Sequence, residues 1–433
     1  MLHHPWLEPG DDQRLVFVSG SGCYVRDEND RDYFDADSGA WLAHIGHGRA
    51  ELAEAARAQM CQLEHFPIVG RTTTGPAIEL AERLVEKAPA GIEKVHFVSS
   101  GSEGDDEALQ FARLFHHRNG QPKRTVVLTL RDGFHGRTYG GAALRGMRGG
   151  EGIGPIPSGV EQLTLPHAYH RERFDGRDAV DYCVDELRAT IERLGPDRIA
   201  AMLAEPILTP AGMLPLPEDY WPRVAEILRE HRILLIFDEV VTAFGRTGAW
   251  FAAEHYGISP DMIVVAKGIA SGYAPLGAVL MNGSVADVLR GAEGGGSYGG
   301  HATACAVALA NLDVIEREGL VERSREVGAR LLERLRPLER MRVVGDVRGK
   351  GLLLGIELVA DKLTRAPLPL AGSALDDVMR EEYGVLAGVF DSVLGLLPPL
   401  ITTDAQADHL ADVVEAVLRR VTPDGTVAPK EEG

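Results

Sequence analysis

Residues 261–268 read Asp-Met-Ile-Val-Val-Ala-Lys-Gly, so that five apolar residues lead directly to Lys267. A short, continuous apolar run is typical of a strand that is covered on both faces, as in a parallel sheet. An ammonium group at the end of such a strand is costly to bury unless it is neutral, paired or covalently used. A lysine with a lowered pKa at a sheet edge is the nucleophile that carbonyl chemistry requires. On this segment alone, a lysine that extends past the strand end to solvent is an equal alternative.

Length, charge and cysteine content bound the class of protein. The 433 residues suffice for two domains, or for one large domain with an appendage. The formal net charge of −19 argues against a nucleic-acid partner and against an anionic membrane surface. The four cysteines have no metal-ligand spacing, which favours a reducing compartment and no metal site. Since neither a signal-peptide pattern nor an apolar run of about 18 residues is found, we expect a cytoplasmic protein that does not span a membrane.

Apolar runs like the one before Lys267 recur along the middle of the chain. Helical patterns alternate with these runs, which are Val95–Val98, Thr125–Leu130, Ile199–Leu203 and Ile233–Phe237. This alternation predicts a large α/β domain in which a parallel sheet lies between helices.

The two ends of the chain have a different pattern. Short strand-like pieces, broken by Gly, Asp and Asn, occupy the N-terminal end, and residues 342–348 and 352–359 resemble antiparallel strands. We therefore expect a small α+β domain built from both chain termini. The expected boundaries are 1–48 and 326–425 for the small domain, 49–325 for the large domain, and 426–433 for a polar tail.

Polar residues follow the predicted strands at the points where those strands end. In an open parallel sheet, ligands bind beyond the carboxyl ends of the strands. After Val98 comes a Gly101-Ser102 turn, with Ser102 as the predicted N-cap of a helix over about 106–114. Such a turn offers free N–H groups to an anion such as a phosphate, although a plain capped helix is the commoner outcome.

The next strand ends carry an aromatic loop and acids. Phe134 and His135 lie between glycines after the run that ends at Leu130, and such a loop can place a ring on a planar ligand. Glu205 follows a third run, and Asp238-Glu239 follows a fourth. A carboxylate after so apolar a run needs a cation or a protonated ring nitrogen as its partner. Helix capping, or pairing with Arg246, is the alternative.

These features together suggest one cofactor. A phosphate site, a ring-stacking aromatic, a buried carboxylate and a lysine at one sheet edge match the phosphate, the pyridine ring and the aldehyde of pyridoxal 5′-phosphate (PLP). This cofactor acts as an electron sink and requires a lysine Schiff base and an acidic partner for its ring nitrogen.

From about Gly22 to Val421 the chain resembles the class III, or ω-, aminotransferases of the fold-type I PLP enzymes. The resemblance is carried, in family order, by Ser100–Glu103, Gly133–Gly136, Glu205-Pro206, Phe237–Gly248 and Ala266–Gly268. It implies a central, mostly parallel seven-stranded sheet. It also implies transamination by a ping-pong mechanism, in which an amino group moves from a primary amine or ω-amino acid to a 2-oxo acid, aldehyde or ketone.

The resemblance implies a role for each matching residue. Lys267 would be the Schiff base and proton shuttle, and Asp238 would pair with the ring nitrogen. The remaining cofactor contacts would be Gly101 and Ser102 at the phosphate, Phe134 and Val240 on the ring faces, His135, Glu205 and Ser297. In the family, a Thr at the place of Ser297 reaches the phosphate of the neighbouring subunit, which implies a homodimer with shared active sites.

The chain departs from the family pattern at the substrate. Many members carry an Arg shortly before a Pro-Pro pair to bind a substrate carboxylate, but residues 393–397 before Pro398-Pro399 contain none. Arg71 is a candidate replacement, with a plain surface position equally open, and Trp41 is expected to line the substrate pocket. An aminomutase or epimerase on the same scaffold, or a non-catalytic PLP-binding protein, is the alternative function.

Overall fold

The computed structural model describes residues 14–144, 159–292, 294–369 and 374–430. Within these ranges, seven strands form one central sheet. Their spatial order is Ile92–Val98, Gly277–Asn282, Met262–Val265, Leu234–Asp238, Ile199–Ala204, Val126–Leu130 and Val160–Leu163. Gly277–Asn282 runs antiparallel to both of its neighbours, and the other recorded pairs are parallel.

The central strands are the apolar runs of the sequence. Residues 262–265 and 234–238 are buried along their whole length, because helices cover both faces of the sheet. All five predicted runs are confirmed as strands of this sheet. Gly277–Asn282 and Val160–Leu163 were not predicted.

Helices cover the sheet and build the periphery. In the described ranges they are Ala50–Leu63, Gly75–Lys87, Gly101–Arg118, Tyr139–Leu144, Ala179–Leu194, Tyr220–Glu230, Gly283–Leu289, Ala302–Arg317, Leu320–Leu335, Ala374–Tyr383 and Asp404–Leu418. Short 3₁₀ turns lie at Arg171–Phe174, Pro196–Arg198, Ala252–Tyr256, Lys267–Ile269 and Arg336–Arg340. None of the helices in the described ranges is both long enough and apolar enough to cross a bilayer.

The two chain ends meet in smaller sheets. One sheet has the order Phe17–Ser21, Tyr24–Asp27, Asp32–Asp35 and Val385–Leu386. Its last two strands are parallel neighbours from opposite ends of the chain. A second, antiparallel sheet has the order Val344–Lys350, Leu353–Asp361, Val393–Leu396 and Gly388–Phe390, with Ala366–Pro367 beside Leu353–Asp361, and Ile207–Leu208 pairs with Leu214–Pro215. The predicted fold class, including an α+β part made from both termini, is confirmed. The exact domain boundaries stay predictions, and residues 1–13 and 431–433 lie outside the described residues.

The helix Gly101–Arg118 begins earlier than predicted. Its N-cap is Ser100, whose hydroxyl accepts from the N–H of Glu103 at 3.2 Å, so the prediction of Ser102 as N-cap was wrong. The helix lies very close to the sheet at Gly104, where an added Cβ would stand 2.7 Å from Val264 Cγ1. This close contact fixes the first turn of the helix next to the strand that leads to Lys267.

Candidate active site

Lys267 lies directly beyond the strand Met262–Val265, as predicted, in a strained backbone conformation. Its φ of 42° is in the left-handed region, which is uncommon for a residue other than glycine. Nζ lies 4.8 Å from the centre of the Trp41 ring. Burial lowers the pKa of the ammonium, although Asp238 and Glu205 oppose this effect. The lowered pKa makes the neutral, nucleophilic amine more accessible than on an exposed lysine.

Asp238 ends the neighbouring strand and is held by two donors. Its Oδ2 lies 2.8 Å from His135 Nδ1, and its Oδ1 accepts from the N–H of Val240 at 3.0 Å. His135 and Asp238 are both buried. Two donors leave acceptor capacity on the carboxylate, so it can take a further hydrogen bond from a ligand.

A second buried acid stands beside Asp238. Oxygens of Asp105 and Asp238 and a ring nitrogen of His135 all lie within 4.8 Å of one another. Burial, followed by the charge of Asp238 and a hydrogen bond to it, raises the pKa of Asp105 well above its ordinary value. The raised pKa favours the protonated form of Asp105, which can donate a hydrogen bond to Asp238. Sequence reasoning missed this residue because the helix was predicted to start after it.

Glu205 holds the aromatic loop against the site. Its Oε1 accepts from the N–H of Phe134 at 3.1 Å, and its Oε2 accepts from the N–H of Thr209 at 2.9 Å. Burial raises the pKa of Glu205 to about 7. Since its oxygens face main-chain donors, Glu205 can act on a ligand by fixing Phe134.

Val240 packs against the first turn of the helix Gly101–Arg118. A Cβ added to Gly101 would stand 2.7 Å from Val240 Cγ2, so only glycine allows this approach. The N–H groups of Gly101 and Ser102 belong to the first turn, where the helix itself supplies no acceptor. The hydroxyl of Ser102 accepts from the N–H of Arg137 at 3.3 Å.

Trp41 ends a left-handed turn. Ser38, Gly39, Ala40 and Trp41 have φ values of 49°, 56°, 63° and 71°. The indole N–H donates to Asp37 Oδ1 at 2.9 Å, and the ring packs against Phe390 with centroids 5.2 Å apart. The contact with Lys267 therefore places Trp41 at the site.

Two predicted site residues lie on the surface of the single chain. Arg71 is exposed. Ser297 is exposed as well, and its carbonyl lies 2.9 Å from His65 Nε2. Their roles stay predictions.

The adjacent acids Asp238 and Glu239 have different roles. Glu239 is fully buried and accepts from the N–H groups of Ala252 and Ala253, at 2.6 and 2.9 Å, so it caps a 3₁₀ turn. The guanidinium of Arg246 donates to the carbonyls of Leu352 and Pro398. The capping alternative thus holds for Glu239 and not for Asp238.

A family model described as aminotransferase class-III matches residues 7–418. The chain belongs to the class-III aminotransferases. This class-III aminotransferase is 36% identical over 427 residues to a taurine–pyruvate aminotransferase of Rhodobacter capsulatus, with 94% of the chain and 92% of the relative covered. It is 34% identical over 413 residues to a putrescine–pyruvate aminotransferase of Pseudomonas aeruginosa, with 93% and 90% covered.

Solved structures agree with this family. An amine transaminase from an uncultivated Pseudomonas species, in a PLP-bound form, matches with a TM-score of 0.92 and 38% identity, covering 97% of this chain and 98% of its own. An (S)-enantioselective omega-transaminase from Thermomicrobium roseum matches with a TM-score of 0.91 and 39% identity, covering 96% of each chain. The class-III aminotransferase is thus an enzyme of PLP-dependent transamination with the fold of the fold-type I transaminases.

The side chains of this class-III aminotransferase fit PLP. Lys267 offers an amine of lowered pKa, and Asp238 is a buried carboxylate with spare acceptor capacity. The first-turn N–H groups of Gly101 and Ser102 suit a phosphate. Phe134, held by Glu205, and Val240 can flank a planar ring.

Proposed function

We propose that the enzyme moves an amino group from a primary amine or ω-amino acid to a 2-oxo acid, aldehyde or ketone in a ping-pong cycle, with Lys267 as the covalent and proton-transferring residue. The observation that carries the proposal is the buried amine of Lys267: its Nζ lies over the Trp41 ring, burial lowers its pKa, and its backbone is in the left-handed region. A neutral amine of this kind can bond to an aldehyde and can then accept and return a proton.

Each remaining side chain has a positional role in this proposal. PLP supplies an electron sink for the charge that develops when the donor loses its proton. Asp238 would hold the ring nitrogen, while His135 orients Asp238 and a protonated Asp105 would donate to it. Phe134 and Val240 would exclude water from the two ring faces.

The phosphate would lie at the start of the helix Gly101–Arg118. The unsatisfied N–H groups of the first turn and the positive end of the helix dipole both favour an anion there. The Ser102 hydroxyl adds a donor that can turn toward the same group.

We further infer a homodimer whose partner supplies Ser297. A surface formed by residues 60–69 and Tyr298 exposes apolar side chains, with Val69 exposed by 69% and Tyr298 by 64%. Ser297 belongs to this surface through its contact with His65. A Val69→Asp variant should dissociate the dimer in sedimentation and lose PLP faster on dialysis. Leu363→Asp, which changes an even more exposed apolar side chain (91%) outside this surface, is the control and should do neither; an unchanged mass in both would refute the homodimer on this surface.

A reducing compartment suits the cysteines, and we place the enzyme in the cytoplasm on that ground. Cys23, Cys61, Cys183 and Cys305 are all free thiols. Such usage is ordinary where thiols stay reduced.

The half-reactions test the transaminase proposal. An amine added to the PLP-loaded enzyme without acceptor should change the cofactor's absorbance, and pyruvate or 2-oxoglutarate should restore it. Lys267→Arg should abolish the restoration by pyruvate or 2-oxoglutarate, because it removes the amine that transfers the proton. The matched control is Lys87→Arg, because Lys87 also lies over a tryptophan ring, at 5.6 Å from the centre of Trp250. Turnover of an amine without any acceptor would instead indicate an aminomutase or epimerase.

A further inference from the structure

The amino group of Lys267 already lies in the space next to Trp41. Lys267 Nζ stands over the ring face, 4.8 Å from its centre, and the Asp37 carboxylate holds the ring edge through the indole N–H. An aromatic face with a carboxylate at its edge is a favourable environment for an alkylammonium ion. The negative charge of Asp37 also acts on Lys267 itself, where it opposes the loss of the proton.

Asp37 has no cationic partner of its own. Its carboxylate accepts from the indole of Trp41 and from the N–H of Ala40, at 2.9 and 3.2 Å. Across the described part of the chain, no Lys or Arg forms an ion pair with it. The guanidinium of Arg246 is near enough to feel the charge, but it is fully buried and donates to the carbonyls of Leu352 and Pro398.

The surroundings of Asp37 are negative. Burial, followed by the charge of Asp35, raises the pKa of Asp37 to about 6, and Asp376 acts in the same direction. Because this pKa is still below 7, the carboxylate is mostly ionised at neutral pH. Strand Gly388–Phe390 closes over it, because a Cβ added to Gly388 would stand 3.0 Å from Asp37 Oδ1.

We propose that Asp37 and Trp41 bind the second, non-reacting cationic group of the amine donor, so that the preferred donors are diamines rather than ω-amino acids or sulfonates. The inference rests on the proposed function and names its substrate class. The reactive Lys267 amine is neutral, because burial lowers its pKa, and it therefore leaves the charge of Asp37 unbalanced. A donor with a distal ammonium balances this charge, whereas a donor with a distal anion is repelled. Residues 393–397, which contain no arginine, add no positive charge on this side.

Three donors of equal carbon number test the inference: putrescine, n-butylamine and γ-aminobutyrate. They differ at the distal end, which is cationic, apolar or anionic. With the PLP-loaded enzyme and pyruvate, we expect kcat/KM to be highest for putrescine and lowest for γ-aminobutyrate. Asp37→Asn keeps an acceptor for the Trp41 indole and removes the charge. It should lower the ratio of kcat/KM for putrescine to that for n-butylamine by about 10- to 100-fold, as expected for one charge-assisted hydrogen bond.

Asp376→Asn is the matched control, because it removes one negative charge close to Asp37 without touching Trp41. It should change the same ratio by less than about threefold. Equal losses in both variants would overturn the assignment to Asp37, and so would a putrescine preference that survives in Asp37→Asn. If Asp37→Asn does not fold, the wild-type comparison still decides, since equal values for putrescine and n-butylamine refute the inference. If no amine changes the absorbance of the cofactor, the proposed function fails, and this inference fails with it.

Discussion

Substituting Gly101 by alanine tests the contact between the first helical turn and Val240. The added Cβ would stand 2.7 and 3.0 Å from Val240 Cγ2 and Cγ1, which is closer than packed carbons tolerate. Overpacking of this kind costs about 1–3 kcal/mol. The backbone at Gly101 is helical, so alanine also gains up to about 1 kcal/mol of helix propensity. We expect a net loss of about 1 kcal/mol in the free energy of unfolding.

A second substitution should reverse the sign of this effect. Val240→Ala removes both methyl groups that the new Cβ meets. In that background Gly101→Ala keeps its propensity gain without the clash, and should therefore stabilise the protein by up to about 1 kcal/mol. The interaction energy between the two positions should be about 1–3 kcal/mol.

Urea unfolding of the cofactor-free protein measures the four members of this cycle. Gly104→Ala is the control, because its Cβ would stand 2.7 Å from Val264 Cγ1, in the same helix but against another partner. Val240→Ala should not rescue Gly104→Ala. If Gly101→Ala destabilises both backgrounds by the same amount, the contact with Val240 is not the reason that glycine is required.

Three further predictions concern the acids of the site. The pKa of Asp105 is raised well above its ordinary value in the folded protein, so the folded state binds more protons than the unfolded state above about pH 4. The stability of the wild type should therefore fall relative to that of Asp105→Asn as the pH rises above about 4. A difference in urea unfolding that does not change with pH would contradict this. Glu239→Gln should cost about 1–3 kcal/mol of stability, because it places an NH2 group against one of the two N–H groups that now donate to Glu239. This variant should leave the cofactor spectrum unchanged, whereas Asp238→Asn should shift it. A shift in the Glu239 variant alone would exchange the roles of the two acids. Since the pKa of Asp37 is about 6, the ratio of kcat/KM for putrescine to that for n-butylamine should rise with pH through this value and stay flat in Asp37→Asn.

The central sheet, and the edge of it where Lys267 and Asp238 lie, could be predicted from the sequence. Their signal is a physical one, since uninterrupted apolar runs require burial on both faces and the polar residue that follows each run must emerge at the same edge. His135 was found in the same way and does contact Asp238. Strand Gly277–Asn282 was not predicted, because an apolar segment that begins with glycine is as consistent with a loop or a helix as with a strand.

The remaining parts of the site depend on contacts across long sequence separations. Phe390 reaches Trp41 from the strand Gly388–Phe390, which is too short to show a period, whereas Asp37 contacts Trp41 locally through a left-handed turn that no periodicity signals. Asp105 required the true start of its helix, and both Ser100 and Ser102 satisfy the capping pattern locally. Arg71 is exposed on the single chain, so its role in the substrate pocket stays a prediction.

The left-handed turn at residues 38–41 has a consequence for engineering. Three of its four residues are not glycine, and each costs about 1–2 kcal/mol in this conformation. Ala40→Gly would relieve part of that cost and should raise the melting temperature, yet it would also let the indole sample other orientations. Libraries that aim to widen the range of accepted amines could therefore vary the hinge at residue 40 before the indole itself, and so exchange rigidity for breadth while the aromatic surface is kept.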